Sequence, residues 1–204
     1  MDKFDVELFN SSCYGDLEGV KNALANGGRV NARTQKDFSP LLAAAQNGHT
    51  EICCLLLAHG SDVNEFSTVM GNITPLHVAA VRGHEATIAA LLSWGAEVNH
   101  QSFPRGDTPL HAACQNGHIT AVLTLLKAGA SMSLPNKNEV LPIHRAADRN
   151  RVEIVRILLE QGCSPDTVLV SAILDLEWSM LMSSFLLSAQ NWRDSSHGCC
   201  KYCI

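Results

Sequence analysis

The chain has 204 residues, 46% of them hydrophobic and 5% aromatic, with a formal net charge of −5 at pH 7. That length and apolar content suffice for one sizeable core or for about five or six short repeats, and the acidic balance speaks against a nucleic-acid binder, which normally carries a basic face. Eight irregularly spaced cysteines do not form a disulfide framework and point to a reducing, intracellular setting.

The opening segment, MDKFDVELFN, mixes charged and apolar residues and lacks the apolar run of a signal peptide. A first unit, Leu8 to Asn31, carries Ser11, Ser12 and Asp16 where later units have an alanine pair and a histidine. The second reads SPLLAAAQNGHTEICCLLLAHGSDVN from Ser39 to Asn64, and the third TPLHVAAVRGHEATIAALLSWGAEVN from Thr74 to Asn99. The fourth, TPLHAACQNGHITAVLTLLKAGASMS, runs from Thr108 to Ser133, and the fifth, LPIHRAADRNRVEIVRILLEQGCSPD, from Leu141 to Asp166. Gly27, Gly60, Gly95, Gly129 and Gly162 close these units at spacings of 33, 35, 34 and 33 residues. A period near 33 predicts short helical units stacked side by side around a continuous core.

Within a unit, Thr74 and Thr108 are placed to cap a first helix, with Pro75 and Pro109 in its first turn. Gly48, Gly83 and Gly117 should end that helix in the left-handed region, and Asn150 stands in for glycine in the last unit. The paired leucines Leu56 and Leu57, Leu91 and Leu92, Leu125 and Leu126, Leu158 and Leu159 are expected to fill the core from a second helix.

The phrase T-P-L-H-x-A-A-x-x-G-H, followed by V-x-x-L-L-x-x-G-A-x-V-N, resembles the ankyrin repeat over roughly residues 5 to 166. The resemblance implies an all-α solenoid of about five helix-turn-helix units with finger-like β-turns. Residues 1–35 would be a capping repeat and 36–166 four further repeats. It implies that the histidines are structural, joining a helix start to the neighbouring loop: His77, His111 and His144 in one series, His49, His84 and His118 in the other. Shared metal coordination is ruled out, since equivalent positions in stacked units are about 10 Å apart. Asn64 and Asn99 also fit the family's pattern of asparagines modified by an asparaginyl hydroxylase.

Nothing looks catalytic: there is no Gly-rich phosphate loop, GxSxG elbow or HExxH motif, so no enzyme activity and no cofactor are expected. The informative residues are those the repeat does not dictate. In the first helices these are Ala43, Gln46 and Asn47; Val78, Val81 and Arg82; Ala112, Gln115 and Asn116; Arg145, Asp148 and Arg149. At the finger tips Phe38, Phe66, Met70 and Phe103 are large and apolar. The linker from Asn64 to Thr74 is two residues longer than the shortest, and that from Asn99 to Thr108 one longer. Such additions enlarge a finger on the binding face. An aromatic-studded rim beside Arg82, Arg145 and Arg149 suits a protein partner with an acidic, partly apolar segment; the alternative is that the finger residues simply pack on the adjacent finger.

After Asp166 the repeat loses phase, and 167–204 is an apolar, Cys-rich tail. Asp175 and Glu177 within it argue against a membrane span. The tail reads either as an irregular helical cap or as the altered end of a longer repeat protein, and its HGCCKYC segment as an inert terminus rather than a zinc site. The function expected is a monomeric, non-enzymatic protein-interaction scaffold in the cytoplasm or nucleus. Two other roles remain open: substrate-recognition adaptor of a ubiquitin ligase, for which no recruiting box is recognisable, and stoichiometric inhibitor of an enzyme or transcription factor.

Overall fold

Helix starts are dictated locally. The hydroxyls of Ser39, Thr74 and Thr108 accept the amides of Leu42, His77 and His111 at 3.1, 3.4 and 3.4 Å, and a proline follows each in the first turn. These caps satisfy donors that a short helix would otherwise leave unpaired. The computed structural model describes residues 2–163, and among them there are ten helices, no strand and one isolated antiparallel bridge between Ser67 and Ile73. The tail assigned from the sequence to 167–204, with its cap and zinc readings, lies outside the described residues.

The helices form five helix-turn-helix pairs: α1 (Lys3–Tyr14) with α2 (Leu17–Ala25), α3 (Pro40–Asn47) with α4 (Thr50–Ala58), and α5 (Pro75–Arg82) with α6 (Glu85–Ser93). They continue with α7 (Pro109–Asn116) and α8 (Ile119–Lys127), then α9 (Pro142–Asp148) and α10 (Val152–Glu160). Odd-numbered helices stack on one another as an inner row, and even-numbered helices as an outer row. The inner row is short and alanine-rich; Ala44, Ala45, Ala79, Ala80, Ala113 and Ala146 are completely buried, which lets adjacent units approach closely.

Leu41, Leu76, Leu110 and Ile143 from inner helices meet Ile52, Leu56, Ile88, Leu91, Leu125 and Ile154 from outer ones, all with essentially no exposure. The leucine pairs divide their work. Leu56, Leu91, Leu125 and Leu158 are core residues, whereas Leu92, Leu126 and Leu159 are only half-buried. Successive positions on a helix point about 100° apart, so when the first member of a pair faces the core the second lies at the edge of the buried face. Leu57 is the exception and is buried.

Gly48, Gly83 and Gly117 end the inner helices at φ of 76, 74 and 85°. They also leave room for the next unit, because a Cβ there would lie 2.7, 2.5 and 2.8 Å from His84, His118 and Arg151. Those side chains cross to the unit before them. His49, His84 and His118 donate through Nε2 to the carbonyls of Cys13, Gln46 and Val81 at 3.2, 3.1 and 2.9 Å, and Arg151 takes the same place with a 3.5 Å bond to Gln115 O. Asn150 occupies the left-handed region at φ 54°.

The first unit differs as its sequence does. Asp16 caps α2 by accepting Gly19 N–H at 2.9 Å, so a carboxylate replaces the histidine with a local role. Buried Asp5 accepts the Arg29 amide at 2.8 Å and its guanidinium as well. The Arg29 side-chain and backbone hydrogen bonds hold the Asp5 carboxyl down at about 2.

Candidate functional site

The fingers between units form a continuous row, and the residues tying them together decide which side chains remain available. In each finger the residue two before the helix cap sits in the left-handed region: Asp37 (φ 54°), Asn72 (54°), Gly106 (73°) and Glu139 (59°). Glycine, asparagine and aspartate take this conformation readily, and Glu139 is the residue type the sequence does not mark for it.

At the first junction, Ser39 Oγ donates to Glu65 Oε1, and Arg33 binds Glu65 at 3.2 Å, Asp37 at 2.9 Å and Phe66 O at 3.0 Å. Asp37 in turn accepts Thr68 N–H and Oγ1–H at 2.7 and 2.8 Å. Burial raises the Glu65 carboxyl above the usual range. Burial also pushes on Asp37, but its bonds from Thr68 and Arg33 outweigh that and hold it low.

Later junctions use imidazole instead. His77 accepts at Nδ1 from Thr74 and donates from Nε2 to Asp107 O at 3.0 Å, and His111 does the same between Thr108 and Val140 O at 2.9 Å. Burial lowers His77 to about 4 and His111 in the same direction, so both are neutral rings with the proton on Nε2. Among the described residues no group of His, Cys, Asp and Glu is placed to hold a metal ion.

The finger residues singled out in the sequence meet different surroundings. Phe38 packs edge-on against Phe9 of α1 with ring centroids 6.4 Å apart. Phe66 stacks on His100 of the next finger at 6.2 Å, and Phe103 lies beneath Lys137 of the finger after it at 4.7 Å. Phe66 and Phe103 nevertheless stay 40% and 58% exposed. Met70 and Val69 form one wall of a groove of about 740 Å³, lined also by Phe9, Phe38, Lys36 and Gln46. Val69 is 69% exposed and Met70 43%, and both belong to the lengthened second finger. Phe9 and Val69 carry no periodic mark, which is why the sequence alone does not single them out.

On the inner helices Ala43 and Val78 are 1% and 6% exposed and face the core rather than the concave surface. Gln46, Val81, Arg82, Gln115, Asn116 and Arg149 all lie near the C-terminal ends of inner helices with some surface open. Asn47 and Asn116 turn their amides back onto Ala43 O and Ala112 O at 3.0 and 2.8 Å. Arg145 stands apart. Its guanidinium binds both carboxylate oxygens of Asp107 at 3.1 and 3.2 Å, and its side chain is only 15% exposed. Asn136 supports the same carboxylate at 2.7 Å. Arg82, Arg149 and Lys36 make no ion pair among the described residues, so three cations are free on a face where the sequence suggests Arg145 as well.

Asn64 and Asn99 bridge units, accepting Glu97 N–H and Ser131 N–H at 2.8 Å each. Among the described residues no helix is long and apolar enough to cross a membrane.

A family model described as ankyrin repeats (3 copies) matches residues 8–102 and 98–168. No curated protein matches the chain. Ankyrin repeats generally mediate protein–protein interaction and are generally non-enzymatic. With capped inner helices, left-handed glycine ends, TPLH histidines bridging units and a family match over most of its length, the chain belongs to the ankyrin-repeat family.

Proposed function

We propose that the chain is a non-enzymatic interaction scaffold, binding one partner protein as a monomer through its finger tips and concave helix ends. The observation that carries this reading is the groove at the first finger junction, where Phe9, Phe38, Val69 and Met70 gather apolar surface that stays open to solvent. Small apolar anchors of this kind supply most of the affinity in an interface. Arg82 and Arg149, without an ion pair among the described residues, set orientation through charge. Arg145, bound to Asp107, belongs to the scaffold's own structure. The buried thiols Cys53 and Cys114 suit a reducing compartment, the cytoplasm or nucleus.

The test is affinity capture from cell lysate followed by mass spectrometry. Wild type is compared with Met70→Asp, with Arg82→Ala plus Arg149→Ala, and with an outer-helix control, Ser93→Lys, all at matched helical signal. A protein retained by wild type and the control but lost by either concave variant supports the reading. Equal retention by all four forms rejects it.

A further inference from the structure

We propose that the groove between the first two fingers seats an acidic peptide segment of the partner. One large apolar side chain enters between Phe9, Phe38, Val69 and Met70, and a neighbouring carboxylate reaches Lys36. This rests on the scaffold reading and assigns a chemistry to its principal contact.

The wall is built before any ligand arrives. The tip of the second finger is closed by its own bonds: Asn72 N–H to Ser67 O at 2.8 Å, Gly71 N–H to Thr68 O at 3.2 Å, and Met70 N–H to Ser67 Oγ at 3.3 Å. Thr68 is pinned from the first finger by Asp37. Val69 and Met70 are therefore held outward by backbone geometry, not by burial of their side chains, and a peptide need not order them on binding. Covering them removes apolar area from water, which favours binding.

Charge decides what kind of segment fits. Lys36 is the one charged side chain lining the groove. Its neighbour Asp37 cannot neutralise it, because that carboxylate is already taken by Arg33 and Thr68. The Gln46 side chain likewise makes no hydrogen bond among the described residues and can serve a peptide backbone. In the next unit the position equivalent to Gln46 is the half-exposed Val81, followed by exposed Arg82, which has no ion pair among the described residues and offers a second carboxylate a partner. On a chain of net charge −5, cations without acidic partners beside an apolar groove select acidic, apolar sequences and repel basic ones. A free small molecule fits less well. With Val69 two-thirds exposed that wall is open, whereas pockets for small ligands bury most of the ligand surface. A chain segment brings its own backbone across the opening.

The experiment is selection of a displayed library of random 12-residue peptides against the full chain. Titration of the enriched synthetic peptides follows, by fluorescence anisotropy. The expected consensus holds one large apolar residue with Asp or Glu close by. Binding should fall at least about tenfold with Met70→Asp or Val69→Asp, and about threefold to fivefold with Lys36→Glu, with added salt erasing the Lys36 difference. Val69, Met70 and Lys36 are exposed, so these variants should fold; circular dichroism checks this, and Val69→Ser with Met70→Ser provides a milder pair. Failure to enrich any peptide, a basic or uncharged consensus, or equal binding to wild type and the groove variants overturns the proposal. If those results coincide with a partner lost from the Arg82→Ala, Arg149→Ala variant in the capture experiment, the scaffold stands and only the groove chemistry falls.

Discussion

The first finger junction and the two that follow solve one problem with opposite chemistry. Each must join the start of an inner helix to the next finger. At Ser39 the tie is a buried carboxylate, Glu65, with Arg33 beside it; at Thr74 and Thr108 it is a neutral histidine reaching a carbonyl. Leu42 fills the place of the histidine in the second unit, so the first junction had to find its hydrogen bonds elsewhere. The consequence extends to the surface. Acid and base at the first junction are consumed behind the finger, leaving an apolar groove with Lys36 in front. At the junction from third to fourth finger Lys137 sits over one face of Phe103, which is still 58% exposed, and Arg145 binds Asp107.

The largest effect is expected from breaking the junction between second and third fingers. Gly71 has φ 82°, its carbonyl accepts Phe103 N–H at 2.6 Å, and a Cβ would run into the Phe103 carbonyl oxygen. Gly71→Ala should cost roughly 3 kcal/mol, read as a lower urea midpoint at unchanged slope. Gly60→Ala, at φ 90° with open space around it, should cost about 1 kcal/mol. Equal losses would mean that the finger contact contributes nothing.

Acidification sharpens the contrast of chemistries. His77, with a folded value of about 4 against an ordinary 6.5, binds its proton more readily when unfolded. The stability of its junction is full above about pH 6.5 and is lost as pH falls towards 4, by roughly 3 kcal/mol on 1.36 kcal/mol per unit. His111 shifts in the same direction. Glu65 has the opposite sign: its raised carboxyl favours the folded state when protonated, and that contribution disappears as pH rises through its folded value. Hydrogen exchange, corrected for intrinsic rates, should therefore show protection falling at 74–80 and 108–114 between pH 6.5 and 4.5 while 39–45 holds. Parallel loss in all three segments would refute the assignment of distinct ties.

A smaller effect separates structural from available arginines. Arg145→Ala leaves a largely buried Asp107 with fewer donors and should lower stability by about 2 kcal/mol. Smallest of all, Arg82→Ala and Arg149→Ala should each stay within about 0.5 kcal/mol of wild type. A urea midpoint for Arg145→Ala that matches those of the other two would place all three arginines on the open surface.

The repeat made most of the fold legible. Ser39, Thr74 and Thr108 cap, Gly48, Gly83 and Gly117 turn left-handed, and the histidines bridge units, because these roles depend on a few neighbouring residues and on a partner one period away. The candidate site was legible only in part. Phe38, Met70 and Gln46 stood out as residues the repeat does not require, and the longer second finger pointed to the same place. Phe9 and Val69 did not, since each acquires its role from residues about 30 or more positions distant in the chain. Similarly, Leu92 and Leu91 are alike in sequence, and helix rotation alone separates the core member from the half-buried one.

Local caps, turn residues and a period near 33 are enough to set the architecture, since they specify a unit whose only way to bury its apolar face is to stack on its neighbours. Which polar and apolar side chains remain unused once stacking is complete depends on contacts between units, which no single unit contains. Arg145 on α9 and Arg82 on α5 are similar cations on inner helices. One finds Asp107 across a finger junction and the other finds no carboxylate among the described residues, because a charge is neutralised by what lies within a few ångströms in space and not by its position in a motif.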